Sequence, residues 1–218
     1  MASFDEELNQ IRHNLRVASL EKAGLYGVYQ HAHSELANQL YKSVKGGRGA
    51  WLWGLPGRGK TYTAAAIVKL FVEQNKQARL LSTIEFFNKL KDSFSDKGSF
   101  SISSLYKLDL LVLDDMGCEK PTSWSQEVLT QLVDKRINNQ KPTIYTSNRR
   151  LKDLCRLWGG ISGKRFASRV AGSCDFIELT APQDLRIQYG NPRVFCTCCA
   201  LSIGHEGFRQ QKYRGKTS

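Results

Sequence analysis

One octapeptide limits what this chain can become. Gly54-Leu55-Pro56-Gly57-Arg58-Gly59-Lys60-Thr61 satisfies the phosphate-loop pattern G-x-x-x-x-G-K-[ST] without a mismatch. Ahead of it runs the short apolar segment Ala50-Trp51-Leu52-Trp53, and behind it the Ala-rich, breaker-free stretch Tyr62 to Val72. This context predicts a strand, a turn and a helix opening near Gly59. The glycines let successive N–H groups curl toward an anion, and the helix adds the positive end of its dipole. Lys60 is expected to reach the terminal phosphates of ATP as a point charge, and Thr61 to hold Mg2+ through its hydroxyl. The predicted nucleotide-binding set is Gly54 through Thr61 with Tyr62 directly after it.

The rest of the chain reads as strands alternating with helices. Ala78 to Ser82 is a short strand, followed by a helix from Thr83 to Phe94 with Ile84, Phe87 and Leu90 facing inward. Leu108 to Asp115 is a near-continuous apolar run closing in two carboxylates, the pattern of a central strand in a parallel sheet. Thr143 to Asn148 and Phe176 to Thr180 complete a set of five strands. The expected fold is therefore α/β, a doubly wound parallel sheet in three αβα layers. Before it, Leu8, Ile11, Leu15 and Ala18 make one face of a first helix, and Ala32, Leu36, Leu40 and Val44 step along a second that ends at Gly46-Gly47. Such a pair either packs on its own domain or docks a partner.

Polar residues at strand ends fall where parallel sheets bind ligands. Asp114 and Asp115 occupy the Walker B position, one to support hydrated Mg2+ and the next to polarise water. Asn148 ends the next strand and is suited to orient that water. Arg165, Arg169 and Arg186 lie downstream as cationic stabilisers of developing phosphoryl charge.

Taken in order, Gly54 to Thr61, Leu113-Asp114-Asp115-Met116-Gly117, Tyr145-Thr146-Ser147-Asn148, Arg165-Phe166-Ala167-Ser168-Arg169 and Asp184-Leu185-Arg186 resemble a DnaC/DnaI/IstB-type AAA+ ATPase, nearest to the replicative helicase loaders. The resemblance covers about residues 48–187. It divides the chain into an N-terminal helical extension (1–47), the AAA+ domain (48–187) with a reduced lid, and a basic Cys-rich tail (188–218). It implies that Arg169, ahead of Arg165, acts as an arginine finger across subunits of an oligomer, and that Arg186 is the second sensor. It also implies a pore for single-stranded DNA, with Phe94 and Trp124 as pore-facing aromatics and Lys120 and Thr122 beside them. Stacking bases on such rings contributes about 1–3 kcal/mol each; the alternative is that the rings are core, which fits Phe94 as well as the pore does, whereas Trp124, in a Pro-Thr-Ser-containing loop, is the better pore candidate. Asp115 stands where many AAA+ proteins carry Glu, a shorter reach.

The chain carries 32 Lys and Arg against 20 Asp and Glu, a net +12, and residues 141–170 hold eight cations against Asp153 alone. That surplus suits an anionic polymer or a solvated basic face. No apolar run would span a bilayer and no signal-peptide pattern opens the chain, so a cytoplasmic protein with reduced rather than bridged cysteines is expected. Cys196, Cys198, Cys199 and His205 fit no standard zinc spacing, and the three cysteines read as free thiols. The leading expectation is an ATPase that binds ATP-Mg2+ and single-stranded DNA and acts on a replicative helicase. The alternatives are an IstB-like transposition helper that binds duplex DNA and recruits a transposase, and a nucleotide-gated DNA-binding scaffold with little turnover. A small-molecule kinase is disfavoured because nothing resembles an acceptor pocket with an Arg-rich lid.

Overall fold

A computed structural model describes residues 4–94, 100–119 and 122–180. Five parallel strands, β1 (Gly49–Trp53), β2 (Ala78–Ser82), β3 (Leu110–Asp114), β4 (Thr143–Ser147) and β5 (Cys174–Glu178), form one sheet in the order β2-β3-β4-β1-β5. Because β3, β4 and β1 are neighbours, the turns leaving their carboxyl ends lie side by side. Those turns carry Asp114-Asp115, Asn148 and the phosphate loop. The sheet order thus assembles residues that are about 90 positions apart in sequence, at the edge where such sheets hold ligands.

Helices cover both faces. On one face α1 (Phe4–Lys22), α2 (Glu35–Lys45) and α3 (Lys60–Glu73), with a 3-10 turn at Gly27–His31, enclose Ala50, Leu52, Leu110, Val112 and Ile144. On the other, α4 (Thr83–Phe94), α5 (Ile102–Tyr106), α6 (Ser123–Asn138), α7 (Leu151–Trp158) and α8 (Gly160–Ser173) enclose Trp51, Leu111, Leu113 and Tyr145. The alternation of inward side chains along β1 and β3 explains the two cores: odd and even residues of a strand face opposite layers.

Three local expectations shift. β5 begins two residues before the predicted Phe176, because Cys174 and Asp175 pair in register with Gly49 and Ala50. In α4 the inward residues are Phe86, Phe87 and Leu90, whereas Ile84 is exposed. The apolar stripe of α1 is real but mostly uncovered: Ile11 and Leu15 are 54% and 65% exposed, and only Leu20 enters the core. The second predicted helix holds from Glu35 on, with Val44 buried and Leu36 and Leu40 packed against the core; Ala32 lies before it, at the end of the 3-10 turn, because Ser34 accepts from Ala37 N–H as the N-cap.

One buried cation ties the second layer to the sheet. Arg136, on the apolar stripe of α6 beside Leu132 and Val133, is fully buried and bonds no carboxylate among the described residues. Its Nε donates to Thr143 Oγ1 at 2.9 Å, Nη1 to the carbonyls of Leu105 and Leu108, and Nη2 to that of Pro142 at 2.6 Å. Burial pushes its pKa down to about 10, so it stays cationic at neutral pH. The three cysteines among the described residues, Cys118, Cys155 and Cys174, are free thiols. Among those residues, no helix is long and apolar enough to cross a membrane.

Candidate nucleotide site and nucleic-acid surface

The phosphate loop follows β1 and is shaped by close approach. Gly54 has φ +149°, and a Cβ there would stand 2.4 Å from the carbonyl oxygen of Leu179, so only glycine fits. Gly59, at φ +80°, is the N-cap of α3 with no side chain to occupy the first-turn N–H groups. Lys60 is buried, and its Nζ donates to the carbonyls of Gly54 (2.9 Å) and Leu55 (2.8 Å). Leu55 and Pro56 are exposed on the outer rim, while Gly57 is buried within the turn. Arg58 contributes a buried Nη1 with no hydrogen-bond partner among the described residues. Such a donor set of open helix N–H groups, an ammonium and an orphaned guanidinium N–H fits a polyphosphate. Tyr62, half-buried, accepts from His33 N–H at 3.3 Å and so joins the loop helix to the segment before α2.

Asp114 completes the pocket from β3. Its Oδ2 accepts from Thr61 Oγ1 at 3.2 Å and its Oδ1 from Thr146 Oγ1 at 2.5 Å. Burial and the charge of neighbouring Asp115 push its pKa up, opposed by the two hydroxyls and by Lys60. Oxygen ligands in a partly desolvated carboxylate pocket suit a hard cation, and Thr61 with Asp114 would hold Mg2+. Asp115 differs from its neighbour: it is exposed, has φ +59°, and its N–H donates to Thr146 Oγ1 at 2.9 Å. The Thr146 hydroxyl therefore holds the Asp114 carboxylate and the Asp115 backbone at once. Sequence reading placed Thr146 only within the strand motif; its position opposite the Walker B end of β3 was the available signal.

Asn148 is exposed one residue beyond Ser147, which is in register with Trp53, and so stands level with the start of the phosphate loop. Arg150 lies over the Trp53 ring at 4.4 Å, an aromatic contact at this same edge. The arginines of α8 are not brought into their own chain's pocket. Arg165 is exposed, and Arg169 is ion-paired through Nε with Asp134 of α6. Arg186 and Lys120 lie outside the described residues.

The aromatic pair meets on the α4–α6 side. Trp124 is 38% exposed, with its ring 5.6 Å from Phe87 and 6.5 Å from Phe94, which is itself 74% exposed. Neither ring is core. Trp124 sits in the first turn of α6 rather than in a loop, because Thr122 is the N-cap: Thr122 Oγ1 accepts from Ser125 N–H, and Ser125 Oγ from Thr122 N–H. Thr122 is thus committed to holding the helix that presents Trp124.

Residues 8–162 match the family described as IstB-like ATP binding protein. The chain belongs to that family. Among curated relatives, it is 26% identical over 127 residues to the replicative helicase loader DnaC of Escherichia coli K12, covering 56% of this chain and 52% of the relative. It is 32% identical over 123 residues to the replicative helicase loader DnaI of Bacillus subtilis, covering 56% of this chain and 39% of the relative. The chain therefore spans about half or less of the length of these relatives. A crystal structure of DnaI superposes with a TM-score of 0.59 at 25% identity, over 69% of this chain and 80% of that one. The fold of this IstB-like protein is the AAA+ P-loop ATPase fold.

Proposed function

We propose that this IstB-like chain is an AAA+ ATPase of DNA replication that binds ATP-Mg2+ and single-stranded DNA and acts on a replicative helicase. The observation that carries the reading is the exposed Phe94–Trp124 pair in a chain that also has an intact Walker pocket. A simple nucleotide-binding protein has no need of uncovered aromatic rings. The similarity to DnaC and DnaI, named as helicase loaders, supports the choice of partner.

When bound, ATP-Mg2+ supplies a γ-phosphate electrophile whose charge the cation offsets. The phosphate loop and Lys60 orient it, and Thr61 and Asp114 hold the cation. Asp115 accepts a proton from water, Asn148 orients that water, and Arg169 is contributed to the pocket of a neighbouring subunit. Asp115→Asn keeps the shape and removes the base. It is expected to bind ATP normally and turn over about 100-fold more slowly. Wild-type turnover in that variant would favour a different base, and equally negligible turnover in both proteins would favour a scaffold.

Stacking by Trp124 is separable from phosphate contacts. Trp124→Ala is expected to weaken single-strand binding in the ATP state about tenfold, the effect of losing one stack of ~1.4 kcal/mol, with the salt slope unchanged. Duplex binding should change less, since paired bases offer no free face. Equal loss on both DNA forms points instead to the transposition-helper reading. Co-purification from the host decides the partner: a hexameric helicase supports the proposal, a transposase the alternative.

A further inference from the structure

α8 carries Lys164, Arg165 and Arg169 and no acidic residue. Lys164 and Arg165 point into solvent, whereas Arg169 is held by Asp134 from α6, which packs along α8 over the same face of the sheet. The contact is made through Nε. Among the described residues, neither terminal amino group of the guanidinium makes a hydrogen bond. Arg165 lies one turn earlier, so its like charge disfavours placing Arg169 on the same face, and Asp134 offsets that repulsion. α6 offers one other carboxylate, Glu127, whose Oε1 accepts from Gln131.

We infer that Asp134 is a positioning residue for Arg169, fixing its Nε edge so that the two terminal amino groups reach the nucleotide phosphates of a neighbouring subunit. The inference rests on the reading of Arg169 as acting in trans. A long side chain loses considerable rotamer freedom on engaging a phosphate, and a partner that restricts it beforehand removes part of that cost. The same pair contributes little to the fold, because both side chains are more than one-third exposed on average and such pairs are weak. Function and stability are therefore separable at this position.

The test uses mixed full-length subunits. Lys60→Ala protein, which keeps Arg169, is the donor; Arg169→Ala protein, which keeps its phosphate loop, is the acceptor. Mixing them is expected to restore ATPase activity that neither shows alone. A donor that also carries Asp134→Ala should restore about tenfold less. Asp134→Asn, which retains an acceptor for the Nε–H, should recover most of the loss. Sedimentation supplies a readout apart from turnover: with ATP present, association of donor and acceptor should weaken about tenfold for Asp134→Ala and stay unchanged without nucleotide. The melting temperature should move by no more than about 3 °C. Equal ATPase and equal association for the Asp134 and Asp134→Ala donors would overturn the inference while leaving the trans reading intact. If the donor with Asp134 intact restores nothing, the trans reading fails and the inference falls with it.

Discussion

Lys60→Ala is expected to weaken ATP binding by about 100-fold, since a desolvated ammonium–phosphate contact contributes on the order of 3 kcal/mol. Two contacts make the site unusually dependent on this one side chain. Its Nζ already bridges the carbonyls of Gly54 and Leu55, so the substitution removes both the charge and the tie that holds the loop's curvature. Calorimetric titration with ATP checks the affinity, and circular dichroism checks that the fold persists. Unchanged affinity would remove the phosphate-loop assignment. A lysine-to-arginine change is not a conservative control here, because the planar guanidinium cannot occupy the buried point between two carbonyls.

Arg136→Ala is expected to cost about 3–5 kcal/mol of stability, the sum of orphaned buried acceptors and a large-to-small cavity. Three carbonyls, those of Leu105, Leu108 and Pro142, would lose a donor inside the protein, and the space left by the side chain would add to the cost. For a chain of this size the melting temperature should fall by roughly 10 °C. Arg136→Lys should recover little of it, since an ammonium cannot span Thr143 on one side and Leu105 on the other. A loss below about 1 kcal/mol in urea titration would show that water replaces the guanidinium.

Both residues bear on how much was legible in the sequence. The phosphate loop was readable because its function requires contiguous residues, and β2 and α4 matched their predicted bounds because Ser82 and Thr83 sit at a sharp change of hydrophobic period. Arg136 carried a signal that went unread: it falls at the spacing of Leu129, Leu132 and Val133 and so had to face inward. Pro121, Thr122 and Ser123 favour a loop by composition, yet Thr and Ser followed by a periodic run equally mark an N-cap, and the helix carrying Trp124 follows the second pattern. The exposed face of α1 shows the opposite failure, a true periodicity with no surface to meet it. The pairing of Asp134 with Arg169 could not be read at all, because 35 residues separate them and only the packing of α6 on α8 brings them together.

The position of β1 has a consequence for how the protein is made. Both of its sheet neighbours, β4 and β5, come later in the chain, and 90 residues separate Trp53 from Thr143. At a synthesis rate of about 5–20 residues per second, β1 waits roughly 5–18 s before its first partner is even made. β2 and β3 can pair with each other in that interval, but Trp51 and Leu52, both destined for complete burial, cannot. The strand that carries the phosphate loop therefore enters the sheet after its sequence successors, and ATP cannot assist the early steps of folding. A nascent chain arrested before β4 should be a strong chaperone client, with the apolar stretch Ala50–Trp53 as the segment bound.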